Sequence, residues 1–293
     1  MGEQIRQQGS GNQVVQQPHA GPSADTVRRW RSEAEFFDLI SSQLREQASP
    51  LSQEEFDRYR KLRHPWLCKE YRVRMLGDLR GARLLDLGCG GGANSILFAK
   101  LGARVTGFDI SPQSVDLATH RAKINGVARQ AQFLCGSAEE ISFADNSFDV
   151  VWGDGVLHHL IPVLDLVLGK ASRWVRPGGR ALFSEPVCLS ATLRRLRRHV
   201  PVHTDATPDE RPLQRAEMEI IRKHIPDLRL RWFNLLGRFN RFVLAHPLCY
   251  ERSSLPRRVI ANALGLADWG LLSLPGLGEL GGTVAMSGTF AKK

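Results

Sequence analysis

Cysteine is scarce in this 293-residue chain: Cys68, Cys89, Cys135, Cys188 and Cys249 are the five, and no two form a CxxC pair. Scattered single thiols exclude a disulfide framework and a cysteine zinc site, and they suit a reduced, cytoplasmic setting. No apolar run is long enough to span a bilayer, so no transmembrane helix is expected. The first 24 residues lack the apolar core of a secretory leader. Met1-Gly2 would open a myristoylation signal, but Arg6 stands where that signal needs Ser or Thr. There is no HExxH motif and no Cys/His cluster, so no metal site is expected. His199 and His203 stand four apart, yet Pro201 breaks the helix that would align them. No internal repeat is visible.

What remains is an ordinary globular composition, 42% hydrophobic and 24% charged, enough for one sizeable core with appendages. The net charge is +10. A basic balance fits nucleic acid, an anionic membrane surface or an acidic substrate, and does not choose among them.

The chain is organised around Arg83 to Ser111, RLLDLGCGGGANSILFAKLGARVTGFDIS. Leu84, Leu85 and Leu87 form a buried strand, and a glycine-rich turn follows from Gly88 to Gly92. Ala93 to Leu101 has helical spacing, with Ile96, Leu97 and Leu101 on one face. Arg104 to Ile110 is a second strand, ending in Asp109. An acid about 20 residues beyond such a turn can accept hydrogen bonds from a ribose. Gly88-x-Gly90-x-x-Ala93 also satisfies the dinucleotide pattern. Asp86 separates the readings. At the mouth of the site, a carboxylate repels a pyrophosphate but favours an ammonium or a sulfonium.

On these residues the chain resembles the class I S-adenosylmethionine (SAM)-dependent methyltransferases. Asp86-Leu87-Gly88-Cys89-Gly90-Gly91-Gly92 is similar to their first motif, and Asp109, followed by Ile110, to their ribose-binding acid. The resemblance implies an α/β fold. Its core would be a Rossmann-like, seven-stranded, mostly parallel sheet with helices on both faces and an antiparallel last strand. It covers about Leu84 to Phe183 strongly and the last strands weakly. Within the family the chain is similar to the broad group holding the ubiquinone and menaquinone C-methyltransferases and many natural-product O- and N-methyltransferases.

Four regions are expected along the chain. Residues 1–24, rich in Gln, Gly, Ser and Pro, read as a disordered tail. Residues 25–80 read as a helical cap, with helices over Thr26 to Leu44, from Glu54 after the Ser52/Glu55 capping box, and over Trp66 to Leu76. The resemblance implies that such helices cover the cofactor or substrate mouth; ordinary packing on the sheet is the alternative. Residues 81–237 and 283–293 would form the SAM-binding domain. Residues 238–282 would be an apolar helical insertion placed between the last two strands, Arg229 to Phe233 and Thr283 to Phe290. That insertion is either a lid over an apolar pocket, plain core packing, or an interfacial helix. In the interfacial reading, peripheral membrane contact runs through 255–280, with Arg257 and Arg258 at the headgroups and Leu264, Leu266, Trp269, Leu271 and Leu272 in the lipid. Leu189 to Val200 is a basic helix, either a phosphate site or a solvated face.

Further site residues follow from the resemblance. Ser137, Ala138 and Glu139, after the third strand, hold the place of the adenine-reading segment, where members often carry Asp in place of Ser137. Gly153 and Asp154 match positions touching the methionine end of the cofactor. Val175 to Gly179 is similar to a family turn into the fifth strand. Methyl transfer rests mostly on orientation and exclusion of water. A base is needed only for an acceptor that must lose a proton. His159, His158 and Glu185 are the candidates, with His159 slightly preferred; each also reads as a hydrogen-bonded group behind the site. Nucleic acid is disfavoured as acceptor, because Gly153-Asp154-Gly155-Val156 has neither the proline nor the aromatic of the base-methylating members. The expected acceptor is a small or lipid-like organic molecule. A macromolecular acceptor, a SAM-binding regulatory or scaffold protein without turnover, and an NAD-type oxidoreductase are the alternatives.

Overall fold

The computed structural model describes residues 22–190, 195, 210–244 and 250–291. The expected tail over 1–24, the basic helix over 189–200 and the polar loop over 201–211 fall largely outside these residues. Three helices come first: α1 (Ala24–Arg45), α2 (Gln53–Lys61) and α3 (Cys68–Leu76). The Ser52 hydroxyl accepts from the Glu55 amide and starts α2 as the capping pattern requires.

The sheet core then runs β1 (Arg83–Leu87), α4 (Ala93–Lys100), β2 (Arg104–Asp109), α5 (Pro112–Ile124), β3 (Ala131–Cys135), β4 (Phe148–Asp154), α6 (Leu164–Trp174) and β5 (Val175–Pro186). It ends with α7 (Arg215–His224), β6 (Arg229–Phe233), the one-turn α8 (Asn240–Val243), α9 (Leu255–Leu271) and β7 (Thr283–Thr289). Strand order is β3-β2-β1-β4-β5-β7-β6. The first five strands are parallel, and β7 lies antiparallel between β5 and β6. This is the expected seven-stranded Rossmann-like sheet. Val175 to Gly179 behaves as expected too: Phe148 pairs with Val175 and Val150 with Arg180, so the Arg176–Gly179 segment bulges out of the ladder.

Side-chain alternation sorts the strands into two cores. Leu84, Val105, Val150, Trp152 and Leu182 pack toward α3, α4 and α5. Leu85, Leu87, Val151, Ala181 and Phe183 pack toward α6 and α7 on the opposite face. Strands buried on both faces explain the near-continuous apolar runs in the sequence. Neighbours β1 and β4 send their connections to opposite sides. Their carboxyl ends therefore open a crevice at the point where the strand order reverses.

Two helical additions border that crevice. Helix α1 lies along α5: Ser41 and Ser114 share a hydroxyl hydrogen bond of 2.8 Å, and Asp38 accepts from the Ser111 hydroxyl at 2.6 Å and the Gln113 amide at 3.1 Å. Helix α9, in the insertion, packs inward through Ala261, Gly265 and Asp268. Trp66 lies against Gly265, and its indole nitrogen donates to Asn262 at 3.1 Å. Trp269 packs on Tyr71 and Phe233, with the Arg231 guanidinium 3.8 Å above its ring. Asp268 accepts from the amides of Leu236 and Gly237 at 2.7 and 2.8 Å. These contacts clamp α3 against the β6 edge of the sheet.

The face assigned to lipid from the sequence is therefore corrected. Trp269 is half-buried and Leu272 is buried, while Arg258 is bonded to Glu54 at 2.7 Å. The apolar side chains facing outward are Leu255, Val259, Ile260, Leu266, Leu271 and Leu274. Among the described residues no helix is long and apolar enough to cross a membrane.

Candidate active site

The glycine turn places four site residues around the β1 end of the crevice. Gly88, Gly90 and Gly92 all have positive φ. A Cβ on Gly88 would stand 2.4 Å from the Val156 side chain, so this glycine serves close packing of the two loops. Gly90, at φ +49°, is different: a Cβ there meets nothing within 4 Å. Its open side is where a ligand can approach the backbone. The Gly90 amide donates to Asp109 at 2.8 Å, and the Ser111 amide donates to the other Asp109 oxygen at 3.0 Å. Asp109 is thus held at the end of β2, with half-buried Ile110 beside it. Burial raises its carboxyl above the ordinary range, against the two amide bonds that lower it.

Asp86 is only 1% exposed. It accepts from the Ser95 hydroxyl at 2.6 Å, and among the described residues no Lys or Arg forms an ion pair with it. Burial pushes its carboxyl up to about 7; the Ser95 bond and the Lys69 charge work against that shift, and Asp154 and Asp109 add to it. A buried acid in acidic company is costly unless a cation comes to it.

Asp154, at the end of β4, accepts from Arg72 at 2.8 Å and from Asn94 at 3.1 Å. Burial favours its neutral form, but the Arg72 guanidinium outweighs it and holds the carboxyl below the usual range. Arg72 itself is 3% exposed and lies 4.2 Å over the Trp152 ring. Its Nε and Nη1 are buried without a hydrogen-bond partner among the described residues. Sequence reading missed Arg72, because nothing in the periodicity of α3 distinguishes it from the helix's other basic residues. Gly153 is a packing position: a Cβ there would stand 2.7 Å from Phe183 and 2.9 Å from Val156.

The segment after β3 is covered by α1. Glu139 is bonded to Arg29 and, at 2.8 Å, to the Trp30 indole nitrogen. Ala138 and Ser137 are buried, and the Ser137 hydroxyl accepts from the Glu140 amide at 3.2 Å. The Glu139 carboxylate is therefore engaged by the helix above it. The backbone and buried side chains of Ser137 and Ala138 form the floor of this end.

The three residues singled out for proton transfer come together at the β4 end, with different roles. Glu185 has no exposed surface. It accepts from the amides of Val156 at 3.0 Å, Leu157 at 2.9 Å and His158 at 3.3 Å, and it lies 2.7 Å from His158 Nδ1. A carboxylate so committed fixes the turn and the imidazole rather than serving as a base. His158 Nε2 lies 2.7 Å from Glu210. Burial lowers the His158 pKa, but its bonds and charges with Glu185 and Glu210 outweigh this and raise it. His159 Nδ1 lies 2.7 Å from Glu33 of α1, and its Nε2 lies 3.6 Å from Glu210. His158, His159 and Glu210 bring their ligand-type atoms within 4.8 Å of one another. Spacing along the chain could not show this: Glu33 and Glu210 are remote in sequence and meet the histidines only in the fold.

Comparisons with known proteins bear on the fold and on the central stretch of the chain. Residues 85–183 match the family described as a methyltransferase domain. A ubiquinone biosynthesis O-methyltransferase from Rhizobium leguminosarum bv. trifolii (strain WSM2304) is 39% identical over 101 residues, which cover 34% of this chain and 39% of that protein. The 27-O-demethylrifamycin SV methyltransferase of Amycolatopsis mediterranei (strain S699) is 40% identical over 130 residues, covering 42% of this chain and 47% of that protein. The chain thus spans roughly two-fifths to one-half of the length of the curated relatives it matches. The geranyl diphosphate C-methyltransferase of Streptomyces coelicolor A3(2), solved with Mg2+, geranyl diphosphate and S-adenosyl-L-homocysteine, has the same fold. Its TM-score is 0.55 at 13% identity, over 90% of this chain and 98% of that one. The central stretch of the chain is thus similar to a methyltransferase domain, carried on a Rossmann-like sheet. The matched stretch runs from β1 through β5, and so contains the glycine turn, Asp109 and both histidines.

Proposed function

We propose that this protein is a SAM-dependent methyltransferase acting on a small or lipid-like organic molecule. The observation that carries the reading is Asp86, a buried acid with no ion-pair partner among the described residues, at the mouth of a glycine turn whose Gly90 faces open space. A pyrophosphate cofactor would be repelled there, whereas SAM brings an ammonium and a sulfonium. Asp109 would accept the ribose hydroxyls. Ile110, Ser137, Ala138 and Glu139 would bound the adenine. Gly88, Gly153 and Asp154 would border the methionine end, and the unpaired Arg72 N–H groups would meet its carboxylate.

When bound, SAM supplies an electrophilic methyl carbon on a sulfonium. The chain's own work is positioning and exclusion of water. Helix α1 closes over the cleft through Glu139, His159 and Ser111, tied there by Trp30, Glu33 and Asp38. For a hydroxyl acceptor, the cluster of His159, His158 and Glu210 is the group that can hold the acceptor's proton. Glu185 orients it. Relatives described as acting on ubiquinone precursors and a rifamycin support the small-molecule class.

The decisive experiment is transfer from radiolabelled SAM into a fractionated extract of the source cells. Label in the organic-extractable fraction is expected, and mass spectrometry of that fraction names the acceptor. Label in RNA or protein would overturn the acceptor class. SAM binding with no label in any fraction would favour a regulatory or scaffold role.

The outward face of α9 supports a finer reading, contact with an anionic membrane surface from which a lipid-like acceptor would be drawn. Leu255, Val259, Ile260 and Leu266 are exposed beside Phe239 and Phe242. The exposed charges along this stretch are Arg238, Arg241, Arg252 and Arg257. Apolar side chains ringed by arginine suit an interfacial helix. Flotation with anionic liposomes, weakened by salt, is expected; failure to float at low salt would remove the membrane contact.

A further inference from the structure

We propose that His158, His159 and Glu210 bind one divalent transition-metal ion on the acceptor side of the cleft. The two imidazoles come from adjacent residues in the turn after β4, with ring centroids 4.2 Å apart. Their ligand-type atoms and that of Glu210 lie within 4.8 Å of one another. Each ring has a carboxylate near both nitrogens, but only His158 is hydrogen-bonded at both; His159 Nδ1 is buried without a hydrogen-bond partner among the described residues. His158 has Nδ1 2.7 Å from Glu185 and Nε2 2.7 Å from Glu210. His159 has Nδ1 2.7 Å from Glu33 and Nε2 3.6 Å from the same Glu210 oxygen.

That pattern is how proteins prepare histidine for a metal. One ring nitrogen gives its proton to a carboxylate, which fixes the tautomer and turns the other nitrogen's lone pair toward the ion. Here Glu185 would be the orienting carboxylate of His158. Both Nε2 atoms converge on the remaining carboxylate, Glu210. Glu185 is rigid in this role, because three backbone amides hold it. Charge points the same way. Glu33 and Glu185 flank the two imidazoles, and no Lys or Arg among the described residues forms an ion pair with either. Two nitrogens and one oxygen suit zinc, iron, cobalt or nickel rather than magnesium or calcium, which prefer oxygen alone. Three protein ligands also leave a coordination position open. If the cleft is that of a methyltransferase, as proposed above, the open position would receive an oxygen of the acceptor and the ion would polarise it, in place of the imidazoles holding its proton.

The test uses the full chain, freed of tags and treated with chelator, titrated with Co2+ as a coloured probe. One equivalent should develop visible d–d absorption that Zn2+ abolishes. His159→Ala and Glu210→Ala should each remove the saturable signal. Circular dichroism guards against unfolding. A featureless titration of the parent protein overturns the proposal. So does a signal unchanged in His159→Ala and Glu210→Ala. SAM binding by calorimetry on the same samples separates the two claims. Co2+ binding without SAM binding would sink the methyltransferase reading and leave the metal site, whereas the reverse would sink only the metal.

Discussion

On the proposed cofactor side of the cleft, Asp86, Gly90 and Asp109 come from one strand–turn–helix–strand unit, β1-α4-β2. On the proposed acceptor side, Glu33 comes from α1, His158 and His159 from the turn after β4, and Glu210 from the segment before α7. The first arrangement is rigid by local geometry, since Asp109 is fixed by the amides of Gly90 and Ser111. The second is held by contacts between remote segments. A fold built this way can keep its cofactor site while changing the elements that shape the acceptor site. Substitutions on the two sides should accordingly separate binding from turnover.

The largest effect is expected at Gly90. Its backbone lies at φ +49° and its Cβ position is open to the crevice. Gly90→Val should weaken SAM by on the order of 100-fold, about 2.7 kcal/mol, as read by calorimetry. Unchanged affinity would remove the glycine turn from the cofactor site. Arg72→Met should cost about 10-fold or somewhat more, the usual worth of a hydrogen bond to a charged group. The loss should be smaller for a cofactor analogue lacking the carboxylate; equal losses for both ligands would place Arg72 in packing alone.

A pH series gives the smallest and most diagnostic effect. Burial raises Asp86 to about 7 in the ligand-free protein. A cationic ligand favours the ionised acid, so SAM affinity should be full above that pH and should fall below it, by up to about tenfold per unit. The sign reverses for the stability of the ligand-free protein. Between the ordinary carboxylate range and about 7, folded Asp86 keeps a proton that the unfolded chain has lost, so stability falls as pH rises through that window. Asp86→Asn should flatten both profiles. A drift that survives in Asp86→Asn belongs to another group.

The same contrast explains what was legible in the sequence. The strands were readable because Leu84, Leu85, Leu87 and their counterparts are buried on both faces, and the start of α2 because Ser52 is a side-chain cap. Asp86, Gly90 and Asp109 were readable because their spacing is local. Arg72 was not, since its meaning comes from Asp154 and Trp152 on a strand far along the chain. The pairing of Glu33 and Glu210 with the histidines depends on where α1 and the segment before α7 come to rest. In α9 the apolar periodicity was visible, but the face was misread. Trp269 and Leu272 carry the strongest hydrophobic signal of a lipid face, and they are the residues that bury it against Tyr71, Phe233 and neighbouring chain.

The most direct test of the cofactor assignment is a calorimetric comparison of SAM and NADH on the parent protein and on Asp86→Asn at pH 8. One SAM per chain, no NADH, and clearly weaker SAM binding by the variant are the predicted results. NADH binding by the parent protein, or SAM affinity unchanged when the buried carboxylate is removed, would contradict the account.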